Sequence, residues 1–370
     1  MSALERLERG AWPLAALVWL YLTLHYAHVL GVDFGAIYRG PHGLLHNQAF
    51  YPTGQHYTTE AGAYYVDPPS SPVVLAPLGI LSKSAAGALF IVVSVTAFVI
   101  GLYRLASRTP IPALIMLGAG LSLPVRSELS LGNADLLCAG LVGLALTVRH
   151  RRRAVPLGLA IAIKPTVWPI LVLFGVDALI AIALAAALVV VGLATIVDVG
   201  RFFRNVIPYL AHGQQAIATV RTSLTDAAVA AGLPRGPISA ICLVALVAAL
   251  AYILYRARGT DKAAWAPLVL VLALLLSTYS YVPYVVYVVL ALPLLRPRDG
   301  QFWLVGLALY LVGSSDVWNT NSFPHQLNTL LGFQVLVGLL LLVPIAANPL
   351  RAPGDHLLAP DDLRKNRSRD

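Results

Sequence analysis

The sequence predicts an all-α polytopic membrane protein, a single bundle of about 12 transmembrane helices carrying polar loops on one face. Three observations predict it. Hydrophobic residues make up 58% of the 370-residue chain, charged residues only 12%, and the mean hydropathy is +0.76, whereas soluble domains carry about a quarter charged residues. Apolar runs such as AWPLAALVWLYLTLHYAHVL, AAGALFIVVSVTAFVIGLY and ALIAIALAAALVVVGLATIV approach or exceed the roughly 18–20 residues that cross a hydrocarbon core. The runs are continuous and do not alternate, which selects helices over a membrane barrel.

The first run follows ERLERG and has no small-residue cleavage site behind it, so an uncleaved signal anchor is expected. Spans are expected near 12–30, 85–103, 110–125, 135–148, 155–163, 166–176, 178–197, 238–255, 264–279, 284–295, 301–313 and 328–347. The pairs 155–176 and 284–313 are short enough for each to form a re-entrant pair or one kinked helix. Basic clusters recur between the runs, among them Arg6/Arg9, Arg104/Arg108, Arg149 with Arg151–Arg153, Arg256/Arg258/Lys262, Arg296/Arg298 and the tail Arg364–Arg369. With both termini cytoplasmic, 18 of the 26 lysines and arginines fall inside and 8 outside, in accord with the positive-inside rule.

On this topology, residues 1–350 form one transmembrane unit and 351–370 a cytoplasmic polar tail. The extracytoplasmic loops are 31–84, 126–134, 198–237 and 314–327, so the polar mass and the active site are expected on the outer face of the cell membrane. The net charge of +9 is scattered between spans and reads as topology signal and attraction to membrane lipid, not as a nucleic-acid surface. Cys138 and Cys242 lie inside apolar runs without redox or metal spacing and read as small buried hydrophobes.

The first outer loop, VDFGAIYRGPHGLLHNQAFYPTGQHYTTEAGAYYVDPPSSPVVLAPLGIL, holds Asp33, Arg39, Glu60, Asp67 and a group of tyrosines that includes Tyr64 and Tyr65. Rings stack on the apolar faces of sugars and carboxylates accept their hydroxyl protons, so this loop suits a sugar pocket. An interfacial aromatic belt would explain the tyrosines equally well. Its stretch 72–81 is too short to span and is expected to lie partly embedded, with Pro72 in the first turn of a short helix.

The turn LSLPVRSELSLGNADLLCAG crowds Arg126, Glu128, Asn133 and Asp135 between two spans, where charge is expensive unless paired or functional. A simple Arg126–Glu128 ion pair is the bland alternative. In AIAIKPTVWP, Lys164 precedes Pro165, so helical bonding must break there. A lysine at such a break suits a phosphate, or else snorkels toward the interface.

Weaker features are Arg201 and Arg204 at the start of the second long loop, then Tyr279, Tyr281 and Tyr284. Asp316, Asn319 and His325 follow near the end. No histidine spacing matches a metal site, so no metal and no bound cofactor are expected. A glycine-rich phosphate loop is also missing from the sequence, which argues against ATP or a nucleotide sugar as donor.

Taken in order, these segments resemble glycosyltransferase family 87. The shared features are an acid just after the first span followed by a tyrosine-proline-proline element and LAPLG, the turn LSLGNADLLCAGLVGLAL, and the hairpin GLAIAIKPTVWPILVLF. The resemblance runs from about residue 12 to 295. This sequence departs from the family in carrying Asn133 and Asp135 where glutamine and asparagine are usual.

The resemblance implies a GT-C-type helical bundle that takes a sugar, mannose being the expected one, from a polyprenyl-phosphate donor to a glycolipid or polysaccharide acceptor. It implies Asp33 as general base, and Lys164, Arg126 and Arg39 as holders of the donor phosphate. Tyr64, Tyr65, Asp67, Glu128, Asn133, Asp135, Tyr281 and His325 are the expected substrate contacts. A polyprenyl-phosphate-arabinose-dependent arabinofuranosyltransferase is the near alternative. A lipid transporter or flippase, which would thread polar groups through the midplane, and a membrane scaffold are the distant ones.

Overall fold

The computed structural model describes residues 3–29, 31–53, 65–148, 151–212, 223–257, 265–277 and 286–294. Among these residues every regular element is a helix and there is no strand. The first apolar run forms α1 (Ala3–His28). The chain then bends by 65° into α2 (Val32–Leu45), whose first turn holds Asp33, where a negative charge complements the positive helix end. Part of the expected outer loop 31–84 is therefore a helix continuing almost directly from the first span.

The embedded stretch expected at 72–81 forms α3 (Ser70–Val74), with Pro72 inside it, and a 3-10 helix at Ala76–Ile80. Ser82 caps α4 (Lys83–Ala106), its Oγ accepting from the Ala85 amide at 3.4 Å.

The run expected as one span at 110–125 is two helices, α5 (Pro112–Leu121) and α6 (Leu123–Leu131), bent by 50°. Ser122 leaves helical geometry (ψ 143°) and Pro124 lies in the first turn of α6, where the missing N–H costs nothing. Arg126 and Glu128 consequently sit on a helix and not in a turn. Gly132 ends α6 at φ +67°, a conformation that favours glycine, and α7 (Asp135–Thr147) follows.

Next come α8 (Ala154–Ile163), a 3-10 helix at Pro165–Leu173, and α9 (Val176–Thr195). Lys164 stands at the break with extended backbone (φ −136°, ψ 107°), because the following proline disfavours helix at the residue before it. The second long loop carries α10 (Val199–Arg201), a π-helical turn at Phe202–Val206, α11 (Ile207–His212) and α12 (Leu224–Ala230). Then follow α13 (Arg235–Arg256), α14 (Ala266–Leu275), α15 (Val286–Ala291) and a 3-10 turn at Leu292–Leu294.

The core packs α4 on α7, α8 on α9, α1 on α5 and α7 on α8, around Trp19, Phe90, Phe98, Leu136, Ile163 and Tyr287. Helices in lipid gain little from hydrophobic exclusion and associate through close contact of small residues. Gly140 shows this: a Cβ there would lie 2.5 Å from the α4 backbone at Ala97 and Phe98. Two polar contacts fix α1 to α5. Glu8 accepts from the Ala113 and Leu114 amides in the first turn of α5, and Trp19 Nε1 donates to the Met116 carbonyl at 3.0 Å. At the start of α9, Asp177 pairs with Arg153 and accepts from the Arg151 amide at 3.1 Å.

Three of the described helices, α4, α9 and α13, are long and apolar enough to cross a membrane, or up to five spans if each bent pair counts as one. The outward faces of α9 and α13 expose Leu179, Val190, Val244 and other large apolar side chains, a surface suited to lipid. Several expected spans are shorter than a bilayer requires. α7 has 13 residues and α8 and α14 have 10 each, about 15–20 Å at 1.5 Å per residue. The stretch expected at 166–176 is largely the 3-10 helix. The spans 301–313 and 328–347, the loop 314–327 and the tail 351–370 lie outside the described residues.

The two sharpest breaks touch. A Cβ on Gly31 would lie 2.1 Å from the Leu131 carbonyl carbon and oxygen, and one on Gly132 would lie 2.7 Å from Phe34 Cβ. The α1–α2 corner thus rests directly on the α6–α7 corner. Substituting Gly31→Ala forces those backbones apart, and overpacking of this kind costs about 1–3 kcal/mol. Thermal unfolding of the detergent-solubilised variant is expected to show that loss, and an unchanged transition would mean that the corners separate freely.

Candidate active site

The corner contact brings five ionisable side chains from five segments together. Lys164, at the α8 break, is 9% exposed. Its Nζ donates to Asp135 Oδ2 at 2.5 Å and to Asn133 Oδ1 at 2.7 Å. Asp135 opens α7 and is fully buried, and its other oxygen accepts from Tyr287 Oη at 2.8 Å. Asn133 is held in turn, since its Oδ1 also accepts from the Ala134 amide at 2.7 Å.

Glu128, on α6, is fully buried, and its Oε2 accepts from the Leu136 amide in the first turn of α7 at 3.1 Å. That bond satisfies one of the amides a helix start leaves open. Among the described residues its Oε1 has no hydrogen-bond partner.

Asp33, half-buried at the start of α2, and Asp67, half-buried just before α3, complete the group. Asp33, Asp67 and Glu128 all feel the charges of Lys164 and Asp135. Ser70, beside Asp67, ties this segment to α8 by donating to the Ala162 carbonyl at 2.6 Å. The site is therefore four carboxylates near one ammonium, with asparagine bonded to Lys164 and tyrosine to Asp135.

Such a group suits a ligand rich in hydroxyls, because carboxylates accept and the asparagine amide donates. No group of His, Cys, Asp or Glu with geometry to hold a metal occurs among the described residues.

The other expected site residues fall elsewhere. Arg126 does not pair with Glu128. Its charge reaches Tyr26 on α1, and its Nε is buried without a hydrogen-bond partner among the described residues. The two are only two residues apart on α6 and so project from different faces of the helix, and Glu128 is drawn to the start of α7. Arg39 is exposed on α2 and faces a separate cavity.

Tyr65 is 1% exposed. It packs edge-on to Phe50 and Tyr51, with centroids at 5.2 and 5.6 Å, as part of a small aromatic core and not as an open stacking platform. Tyr64, Tyr281 and His325 lie outside the described residues.

Sequence reasoning passed over Tyr287 and Ser70. Tyr287 had a signal, a phenol inside the apolar run VVYVVLAL, since a buried tyrosine hydroxyl normally has a partner. Ser70 had none, because its partner is a backbone carbonyl 92 residues away.

Breaking the central pair leaves one buried charge uncompensated, which costs about 3–5 kcal/mol. Lys164→Ala and Asp135→Ala are each expected to lower the unfolding temperature sharply. The double variant Lys164→Met/Asp135→Leu is expected to recover most of it, and additive losses would refute the coupling.

Asp67 adds a pH dependence. Burial, reinforced by Asp135 and Asp33 and opposed by Lys164, pushes its carboxyl from 3.8 up to about 6. Between those values the folded chain holds a proton that the unfolded chain has lost, so stability falls as pH rises through the window. The Asp67→Asn variant is expected to lack this fall and to be the more stable form at neutral pH. Parallel melting curves for the two proteins across pH 4–7 would fail to separate if Asp67 does not titrate here.

Comparison with known proteins points to a family through the sequence. No curated protein and no solved structure matches the chain. The family model for glycosyltransferase family 87 matches residues 65–278, more than half of the chain, and it takes in α3 through α14 with Asp67, Glu128, Asn133, Asp135 and Lys164. The chain belongs to glycosyltransferase family 87.

Proposed function

We propose that this membrane glycosyltransferase moves a sugar, mannose in the first instance, from a polyprenyl-phosphate donor to a glycolipid or polysaccharide acceptor on the extracytoplasmic face. The convergence of Asp33, Asp67, Glu128, Asp135 and Lys164 at touching helix breaks inside an apolar bundle carries this reading. Such a site excludes bulk water while offering several acceptors to sugar hydroxyls.

Asp33 serves as general base. Of the acids that feel the charges of Lys164 and Asp135, it stands at the open end of a helix and is half-buried, so a hydroxyl can approach it. Asp135 and Glu128 are fully enclosed and committed to internal bonds.

In a single displacement, Asp33 takes the proton of the acceptor hydroxyl while its oxygen forms a bond to the anomeric carbon. The bond from that carbon to the phosphate oxygen breaks, and the polyprenyl phosphate leaves with the electron pair. The anomeric centre inverts, so a β-linked donor yields an α-linked product. Asn133 and Asp67 orient the sugar hydroxyls. Lys164 holds Asp135 and Asn133 in place as a positioning residue.

General-base catalysis contributes about 10²–10⁴-fold, so Asp33→Asn is expected to cut transfer by at least about a hundredfold while leaving expression and unfolding temperature unchanged. The assay uses the purified chain with polyprenyl-phosphate mannose and a glycolipid acceptor. Transfer near the wild-type rate by this variant would remove Asp33 from the reaction.

A further inference from the structure

We propose that a cavity between α2 and segment 48–53 is a phosphate subsite, in which Arg39 and Arg201 hold the phosphate of the lipid-linked substrate. The inference rests on the transfer reading above, and it moves the phosphate away from Lys164. In the buried cluster the ammonium is already bonded to Asp135 and Asn133 and outnumbered by carboxylates. A phosphate there would face net negative charge.

The cavity has the opposite balance. It has a volume of about 400 Å³ and is lined by Tyr38, Arg39, His42, Phe50, Tyr51 and Arg201 among others, and no acid is among the described residues that line it. Guanidinium groups match a phosphate through paired N–H donors, and the rings offer apolar faces to a sugar or to the first isoprene unit.

The wall is built and held. Asp198 Oδ2 accepts from the Phe50 and Tyr51 amides at 3.0 and 2.7 Å. Asn205, in the π-helical turn, donates to the Pro52 carbonyl at 2.7 Å. Arg201 approaches the Tyr51 carbonyl at 3.5 Å and Asp198 at 3.7 Å, long contacts that leave its side chain 36% exposed. On the other wall, Tyr38 Oη donates to the Leu81 carbonyl at 2.7 Å, and its ring stacks on His42 with centroids 5.3 Å apart.

The cavity also adjoins the buried cluster. Tyr51, in its wall, donates its hydroxyl to the Asp67 carbonyl at 3.2 Å. Asp33 and Arg39 share α2 and are separated by about 9 Å along its axis.

The test measures binding by the full-length chain in lipid nanodiscs, with a polyprenyl phosphate and the matching polyprenol as probes and inorganic phosphate as competitor. The polyprenyl phosphate is expected to bind at least about tenfold more tightly than the polyprenol. Arg39→Ala and Arg201→Lys are each expected to abolish that difference while leaving polyprenol binding unchanged. The lysine variant keeps the charge beside Asp198 and guards against collapse of the segment.

Displacement by inorganic phosphate would identify the headgroup alone as sufficient, and a lack of displacement would make the lipid chain part of the ligand. Wild-type preference for the phosphate in both variants, or equal weakening of both lipids, would overturn the proposal. Should the chain transfer no sugar while the arginine variants still lose phosphate-dependent binding, the subsite stands and the transfer reading falls.

Discussion

The arrangement depends on one constraint: an ammonium group buried in an apolar bundle must be answered by a carboxylate at hydrogen-bond distance. Lys164 is answered by Asp135, and the two lie on helices α8 and α7 that pack along each other. Taking both charges out of water is costly, and the pair is tolerable only if its remaining lone pairs and protons are bonded. Asn133 and Tyr287 supply those bonds. Asn133 lies where the chain leaves α6 and has not yet entered α7, so the demand for hydrogen bonds falls at a helix stop.

The breaks are where a membrane bundle can afford chemistry. An unbroken span satisfies its own backbone and presents only side chains, whereas an interrupted one exposes amides and carbonyls that must be satisfied by protein or by cavity water. Here three interruptions coincide: Gly31 between α1 and α2, Gly132 to Ala134 between α6 and α7, and Lys164 after α8. Glu128 and Asn133 each spend an oxygen on an amide at the start of α7. The polar residues of the cluster thus also stabilise the interruption.

Much of this was legible in the sequence, because polar residues in apolar surroundings stand out. Asp33, Lys164 and the Asn133–Asp135 turn were visible as charges at helix ends, and Pro165 announced the break before it. Their convergence was not visible, since no local pattern records that Gly31 rests on Leu131. The polarity of Arg126 was as conspicuous as that of Lys164, yet its charge acts on Tyr26 of α1.

Helix lengths were misjudged where apolar runs continue across a kink. Hydropathy does not distinguish a straight helix from a broken one, and Ser122 redirects the chain without interrupting the apolar run 110–125. The aromatic residues were misread in the opposite sense. Tyr65 looked like a sugar platform and is a packing residue, because Phe50 and Tyr51 close over it.

The contact between Glu8 and the start of α5 bears on the order of biogenesis. The first turn of α5 has open amides, and the acceptor that meets them comes from a residue more than a hundred positions earlier in the chain. A ribosome delivers α1 long before α5, so the docking surface is waiting in the membrane when the later helix emerges. A chain shortened by its first dozen residues would insert α5 with those amides open, and the defect would surface far from the cut.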